Sequence, residues 1–119
     1  MKGLDGADGA VWSERGPLSI RCERELEGTY VVELCGELDL AGIEFVADEL
    51  ARVEESDAVR ILVDLSGLEF ADSAGLRVLL QAAQRSAGNS GRLTFLRPQG
   101  AVARVMSLTQ MDTLLPFDD

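Results

Sequence analysis

The residues best suited to take part in a chemical step lie together in the segment DSAG, from Asp72 to Gly75. A run of apolar and β-branched residues precedes the segment and a helix-forming stretch follows it, which predicts that Ser73 begins a helix. Unpaired backbone N–H groups and the helix dipole favour an anion such as phosphate at that position. Arg77 lies one helical turn later, within reach of a charge on residue 73. Ser73 is therefore a candidate phosphoacceptor.

A simpler interpretation is that Asp72 or Ser73 only caps the helix, which is worth about 1 kcal/mol. Capping does not explain Phe70 and Ala71, which fit no core period and directly precede the acidic and hydroxyl pair. Their position predicts a recognition surface. Gly75, which has no side chain, is predicted to leave room beside Ser73 for the backbone of a partner.

Composition narrows the class of partner. The 119 residues are 46% hydrophobic and carry 11 Lys and Arg against 21 Asp and Glu, a net charge of −10. This length predicts one domain with a core of its own. Phosphate backbones and anionic lipid surfaces would repel such a chain. The sequence contains no run of about eighteen apolar residues, so no membrane span is predicted. We therefore expect neither direct nucleic-acid binding nor membrane association.

The chain contains no histidine, which removes imidazole bases, Ser-His-Asp triads and histidine metal ligands. Cys22 and Cys35 form neither a CxxC pair nor a zinc motif, and we expect both to be small core residues. Asp39 and Asp72 could be mistaken for a catalytic carboxylate pair, but no nucleophile, ligand set or phosphate-binding glycine loop accompanies them. We predict no catalytic residue, no metal site, no cofactor and hence no enzyme.

The elements that position these residues begin after a glycine-rich opening. Residues 1–16 show neither alternation nor a helical period and predict a flexible N-terminal tail, which leaves 17–119 as the domain. Leu18–Glu23 and Thr29–Gly36 predict a β-hairpin with one buried face. The apolar stripe of residues 43–55 predicts an amphipathic helix.

The second half of the chain alternates strands and helices: strand Val59–Leu65, a helix from Ser73 to about Gly88, strand Arg92–Arg97 and a short helix over 102–109. Gly67 is predicted to end the first strand, with a loop over 68–71. The segment LLPF is a candidate for a final edge strand. This order predicts an α/β domain in which helices pack mainly on one face of a mixed sheet of four to five strands.

Two motifs carry a family resemblance. GELD, from Gly36 to Asp39, and LEFADSAGL, from Leu68 to Leu76, with VRILVDL ahead of the second, resemble the STAS-domain anti-anti-sigma factors of bacteria. The resemblance covers about residues 18–117, with the same element order. It implies that the unphosphorylated protein binds an anti-sigma factor that is also a serine kinase, frees the sigma factor, and loses the partner when phosphorylated. It also implies that Asp39 and Asp72 face the kinase.

The chain departs from the family pattern at one position. Family members commonly read DSSG or DSTG, whereas Ala74 replaces the second hydroxyl here. Either Ser73 is phosphorylated or this chain has lost the switch. Ser66 is a weaker acceptor, because DLSG is typical of a turn before Gly67. Ala74 favours the alternative function, a STAS regulatory subunit of a transporter or a signalling scaffold that needs no phosphoserine.

The resemblance and the residues together define one predicted surface. Its members share a place at the ends of the second and third predicted strands or in the helix that follows: Asp39, Phe70, Asp72, Ser73, Gly75 and Arg77. The implied partner is an anti-sigma factor with serine kinase activity, in the reducing cytoplasm. The protein itself is expected to be a monomer or a weak dimer.

Overall fold

A five-stranded mixed sheet is the frame of the molecule. The computed structural model describes residues 10–118. The strands lie side by side in chain order: β1 (Ala10–Arg15), β2 (Leu18–Arg24), β3 (Thr29–Leu38), β4 (Arg60–Ala71) and β5 (Leu93–Leu96). Strands β1 to β3 are antiparallel, and β4 and β5 extend the sheet in parallel to β3. The two parallel connections each contain a helix, as such crossovers require.

Three helices pack on one face of this sheet. They are α1 (Ile43–Glu54), α2 (Ser73–Gly88) and α3 (Gly100–Leu108). The sheet residues beneath them are buried and belong to the same core cluster: Leu18, Ile20, Val32, Leu34, Ile61, Val63, Leu93 and Phe95. The alternating residues of the other face, such as Arg21, Glu33 and Asp64, are only partly buried. The predicted fold class is confirmed, because the sheet is mixed and its apolar side chains face the helices.

The predicted tail is wrong for residues 10–15. They form β1, which pairs with β2 from Ala10 opposite Glu23 to Arg15 opposite Leu18. Gly16, with φ +59°, provides the tight turn between the two strands. Ala10 is the one buried residue of β1, so the strand has no apolar alternation to detect. Residues 1–9, the rest of the predicted tail, lie outside the described residues.

The predicted end of β4 is also wrong. The strand continues past Gly67 to Ala71, and only Asp72 lies between it and α2. Two register shifts against β3 each place one extra residue in β4, between Asp64 and Gly67 and between Leu68 and Phe70. These are β-bulges, which turn the following side chains. The buried positions of this stretch are consequently three apart: Leu65, Leu68 and Ala71.

The two cysteines differ in environment. Cys22 is half-buried against the core, as expected of a small apolar residue. Cys35 is also half-buried, but it lies on the sheet face that the helices leave uncovered, together with Glu33. Side chains alternate between the faces of a strand, and Leu34 takes the core position. The expectation of a core cysteine is therefore wrong for Cys35.

The segment after α3 covers the outer edge of β5. The backbone N–H of Phe95 donates to the carbonyl of Pro116 at 2.9 Å, and that of Asp118 donates to the carbonyl of Phe95 at 2.8 Å. The rings of Phe95 and Phe117 meet edge to face, 6.4 Å between centroids. The expected final edge strand is thus reduced to one parallel bridge. Within residues 10–118, no helix is long and apolar enough to cross a membrane.

Candidate functional site

Ser73 is the first residue of α2 and is exposed to solvent. The preceding residue, Asp72, has extended backbone geometry and caps the helix, since its Oδ1 accepts the N–H of Gly75 at 2.8 Å. Capping is therefore the task of Asp72. The hydroxyl of Ser73 has no hydrogen-bond partner among residues 10–118. Its place at a helix start, with a free hydroxyl, leaves it accessible to another protein.

The turn between β3 and α1 forms the second part of the site. Asp39 caps a single 3₁₀ turn, Leu40–Gly42, because its Oδ1 accepts the N–H of Ala41 at 3.1 Å. The side chain of Leu40 is 72% exposed at this turn. Its backbone N–H donates to Oδ2 of Asp72 at 3.1 Å. Asp39 and Ser73 thus lie at the same end of the sheet.

Gly75 serves the chain itself and makes no room for a partner. It is buried, and a Cβ at this position would lie 2.7 Å from the carbonyl oxygen of Leu38 and 2.7 Å from its Cγ. The N–H of Asp72 donates to the same carbonyl at 3.1 Å. The first turn of α2 therefore packs directly on the end of β3. The predicted contact between Gly75 and a partner backbone is wrong for this reason.

Phe70 provides exposed apolar area three residues before Ser73. Its side chain is 48% exposed, because the second bulge of β4 turns it out of the core. Leu40 adds a second exposed apolar side chain, and sequence reasoning missed it. Its only signal in the sequence was an apolar residue directly after a capping aspartate, outside any periodic pattern. Three acidic residues adjoin this apolar pair: Glu37, Asp39 and Glu69.

Arg77 is exposed on α2 and lines two shallow grooves together with Ser73. One groove, of about 430 Å³, runs along α2 towards Thr109 and Met111. The other lies between α2 and Ile43. Among the described residues that line these grooves, Arg77 is the one charged side chain. No acidic side chain among the described residues lines either groove, so an added negative charge on Ser73 would meet Arg77 there.

Ser66, the weaker acceptor candidate, is engaged within the chain. It lies at the first bulge of β4, where its hydroxyl donates to Oδ1 of Asp64 at 2.7 Å and its N–H donates to the same atom at 2.9 Å. The predicted turn before Gly67 is thus a bulge inside a strand. Because its hydroxyl already has an acceptor, Ser66 is a less available phosphoacceptor than Ser73.

The thiols do not form a nucleophilic site. Burial raises the pKa of Cys22. Burial, followed by the charge of Glu33, raises the pKa of Cys35 to about 11. A raised pKa disfavours the thiolate, which is the reactive form. The described part of the chain contains no cluster of three His, Cys, Asp or Glu side chains suited to a metal ion.

Comparison with known proteins shows which family this chain matches. The family model described as Mlab, STAS domain matches residues 23–116. No curated protein matches the chain in sequence.

Three solved structures illustrate the likeness. An anti-sigma factor antagonist from Mycobacterium paratuberculosis is similar at a TM-score of 0.68 and 23% identity, covering 96% of this chain and 89% of that one. The Bacillus cell fate determinant SpoIIAA in its phosphorylated form gives a TM-score of 0.61 at 23% identity, over 84% and 91%. Murine Slc26a9, an anion transporter, gives a TM-score of 0.62 at 18% identity over 81% of this chain and 17% of the transporter. At these identities the likeness shows a shared fold.

Proposed function

The chain belongs to the STAS domain family, and on that premise we propose that it is an anti-sigma factor antagonist switched by phosphorylation of Ser73. In this role the unphosphorylated protein binds an anti-sigma factor with serine kinase activity and thereby frees a sigma factor. Phosphate on Ser73 ends the binding. The kinase brings ATP, so this chain is a substrate and a binding module rather than an enzyme, and it needs no cofactor.

One observation carries the proposal: the exposed hydroxyl of Ser73 has no partner among the described residues, and the two segments that meet at the start of α2 each expose an apolar side chain, Leu40 on the turn bonded to Asp72 and Phe70 at the end of β4. Asp72 already caps α2, so the stability of the helix does not require the hydroxyl. A kinase could reach this oxygen without unfolding the domain. Exposed apolar side chains beside an acceptor are typical of a protein contact surface.

The position of the phosphate explains how binding would end. Phosphoserine adds a charge of about −1.5 to −2. The first turn of α2 and Arg77 can hold that charge within the domain, so the fold need not change. The partner, in contrast, would meet a hydrated dianion in the middle of an apolar contact. The cost of removing water from that charge should then break the complex.

The known relatives support the same role at a coarser level. The chain shares its fold with an anti-sigma factor antagonist over nearly its full length. It also shares the fold with SpoIIAA, of which a phosphorylated form exists. The proposed partner is therefore an anti-sigma factor with serine kinase activity, met in the bacterial cytoplasm by a monomer or weak dimer of this chain.

The test is phosphate transfer to matched variants. The purified cognate kinase and ATP are incubated with the parent, Ser73→Ala and the control Ser66→Ala, and incorporated phosphate is measured by intact mass. We expect one phosphate on the parent and on Ser66→Ala, and none on Ser73→Ala. Equal incorporation into parent and Ser73→Ala would place the acceptor elsewhere.

A second function, a regulatory STAS subunit of a transporter or scaffold, is favoured by two observations. Ala74 removes one of the two hydroxyls common in the motif. The anion transporter Slc26a9 contains a region of the same fold. Intact mass of the protein isolated from its native cells separates the two functions: a phosphate localised to Ser73 supports the switch. A chain that stays unmodified, even when its kinase is present, supports the subunit.

A further inference from the structure

The carboxylate of Asp72 joins two segments that are far apart in sequence. Its Oδ1 accepts the N–H of Gly75 in the first turn of α2, at 2.8 Å. Its Oδ2 accepts the N–H of Leu40 in the turn after β3, at 3.1 Å, across 32 positions of sequence. One side chain thus fixes both the helix that begins at Ser73 and the turn that exposes Leu40.

The second bond explains why this residue is an aspartate. Serine, asparagine and aspartate are about equally good N-caps, so the helix alone does not require a carboxylate. Only the carboxylate has two acceptor oxygens; an asparagine has one, and its amide nitrogen is a donor like the N–H of Leu40. The bond to Leu40 therefore requires a second acceptor oxygen at this position, which capping alone does not.

Leu40 needs such a fixed point because its side chain has little packing of its own. It is 72% exposed at a single 3₁₀ turn, which is otherwise held by the cap from Asp39 and the bond from Gly42 N–H to the Asp39 carbonyl at 2.9 Å. A mobile anchor loses entropy when it binds, and this cost lowers affinity. Fixing the turn before the partner arrives removes part of that cost.

We propose that Asp72 is a positioning residue, which holds Leu40 next to Ser73 so that two distant segments present one continuous surface. The link within the chain is independent of any partner. The step from that surface to partner affinity rests on the proposed function. The action proposed here runs through Leu40, because each oxygen of Asp72 accepts an N–H group within the chain; that Asp72 also faces the kinase stays a prediction.

Amide hydrogen exchange of the full chain, read by NMR, tests the link. Asp72→Ser keeps an N-cap oxygen but cannot span both segments, and Asp72→Ala removes both bonds. We expect Asp72→Ser to speed exchange of the Leu40 amide at least about tenfold and to leave Gly75 within about threefold, because one hydrogen bond is worth about a factor of ten. Asp72→Ala should speed both. The matched control Asp39→Ala should speed exchange of the Ala41 amide and spare Gly75.

Unchanged exchange of Leu40 in Asp72→Ser would overturn the proposal, as would equal acceleration of Leu40 and Gly75. The route to binding is tested with the purified anti-sigma factor kinase and the variants Leu40→Ala, Asp72→Ser and the double variant. If Asp72 acts through Leu40, the double variant loses no more affinity than the weaker-binding single variant, within about twofold. Additive losses would overturn the route. A chain with the expected exchange pattern that accepts no phosphate keeps the Asp72 link and loses only the phosphoswitch.

Discussion

The two ends of α2 are built differently. At the C-terminal end, the guanidinium of Arg92 donates to three carbonyl oxygens at and just after the end of α1, those of Glu54, Ser56 and Ala58. Arg85 pairs with Glu54 through two bonds of 3.2 and 3.0 Å. The buried hydroxyl of Ser86 accepts the N–H of Leu93 at 3.1 Å. Here the chain satisfies its own polar groups.

The N-terminal end leaves groups unused. Leu40 and Phe70 expose 72% and 48% of their area, and the Ser73 hydroxyl has no acceptor in the described part of the chain. The internal contacts at this end of the helix are the two hydrogen bonds to Asp72 and the close packing of Gly75 on Leu38. The difference teaches that the polar groups at one end of the helix are satisfied within the chain, while the other end leaves the hydroxyl and apolar side chains that the proposed function requires.

The largest expected effect lies between the two ends, in the core that they share. Leu79 is fully buried in α2. Leu79→Ala should lower the free energy of unfolding by about 2 to 5 kcal/mol through lost burial and the cavity left behind. The control Leu40→Ala removes an exposed side chain and should change stability by less than about 0.5 kcal/mol. Urea denaturation of both variants provides the measurement, and equal midpoints would contradict the assigned burial.

The C-terminal end of α2 should be sensitive to loss of the Arg92 guanidinium. Arg92→Met keeps much of the side-chain volume but leaves three carbonyl oxygens without their donor. We expect a loss of about 1 to 3 kcal/mol, since a partly buried acceptor that loses its donor is costly. Arg104→Met, at an exposed position of α3, is the control and should change stability by less than about 0.5 kcal/mol. Similar thermal midpoints for the two variants would show that the C-terminal end of α2 does not depend on Arg92.

Glycines at the two ends allow a direct comparison. A Cβ at Gly75 would lie 2.7 Å from a backbone oxygen, whereas one at Gly88 would meet nothing within 4 Å. Gly75→Ala should destabilise the fold by roughly 1 to 2 kcal/mol, because overpacking outweighs the better helix propensity. Gly88→Ala should be neutral or stabilise by up to about 1 kcal/mol. If chemical denaturation ranked Gly75→Ala above the parent, α2 would not pack on β3 as closely as described.

The smallest effect concerns charge at the N-terminal end of α2. Asp39→Asn keeps an acceptor oxygen for Ala41 but removes a charge beside Leu40. We expect the association rate with a basic partner surface to fall about two- to threefold at low salt and the difference to vanish at high salt, as screening requires. Stopped-flow association with the purified anti-sigma factor kinase at several ionic strengths measures this. A salt-independent difference would point to a structural effect of the substitution.

Sequence patterns predicted the elements whose signal is local. The apolar stripe of α1, the cap at Asp72 and the alternation in β3 all appear in the structure, because each depends on neighbouring residues. Ser73 was also placed correctly at the start of a helix. Such features follow from periodicity and capping rules alone.

Features that depend on distant pairing were missed or misassigned. β1 has no apolar alternation and exists through its ladder with β2. The last part of β4 was taken for a loop, because two bulges change its buried period from two residues to three. The exposure of Leu40 and the packing of Gly75 on Leu38 arise where two strand ends meet. No single segment contains that information.

The bulges of β4 also decide where the length of the chain can vary. Glu69 is the extra residue of the second bulge, so its deletion would leave Phe70 opposite Glu37 and Ala71 opposite Leu38, and both side chains would keep their faces. A deletion between residues 60 and 64, where every residue is paired with β3, would instead turn the side chains on one side of it to the opposite face. Deletions at the bulges should accordingly be tolerated better than deletions between residues 60 and 64. In an alignment of related chains, gaps within β4 should fall at the bulges.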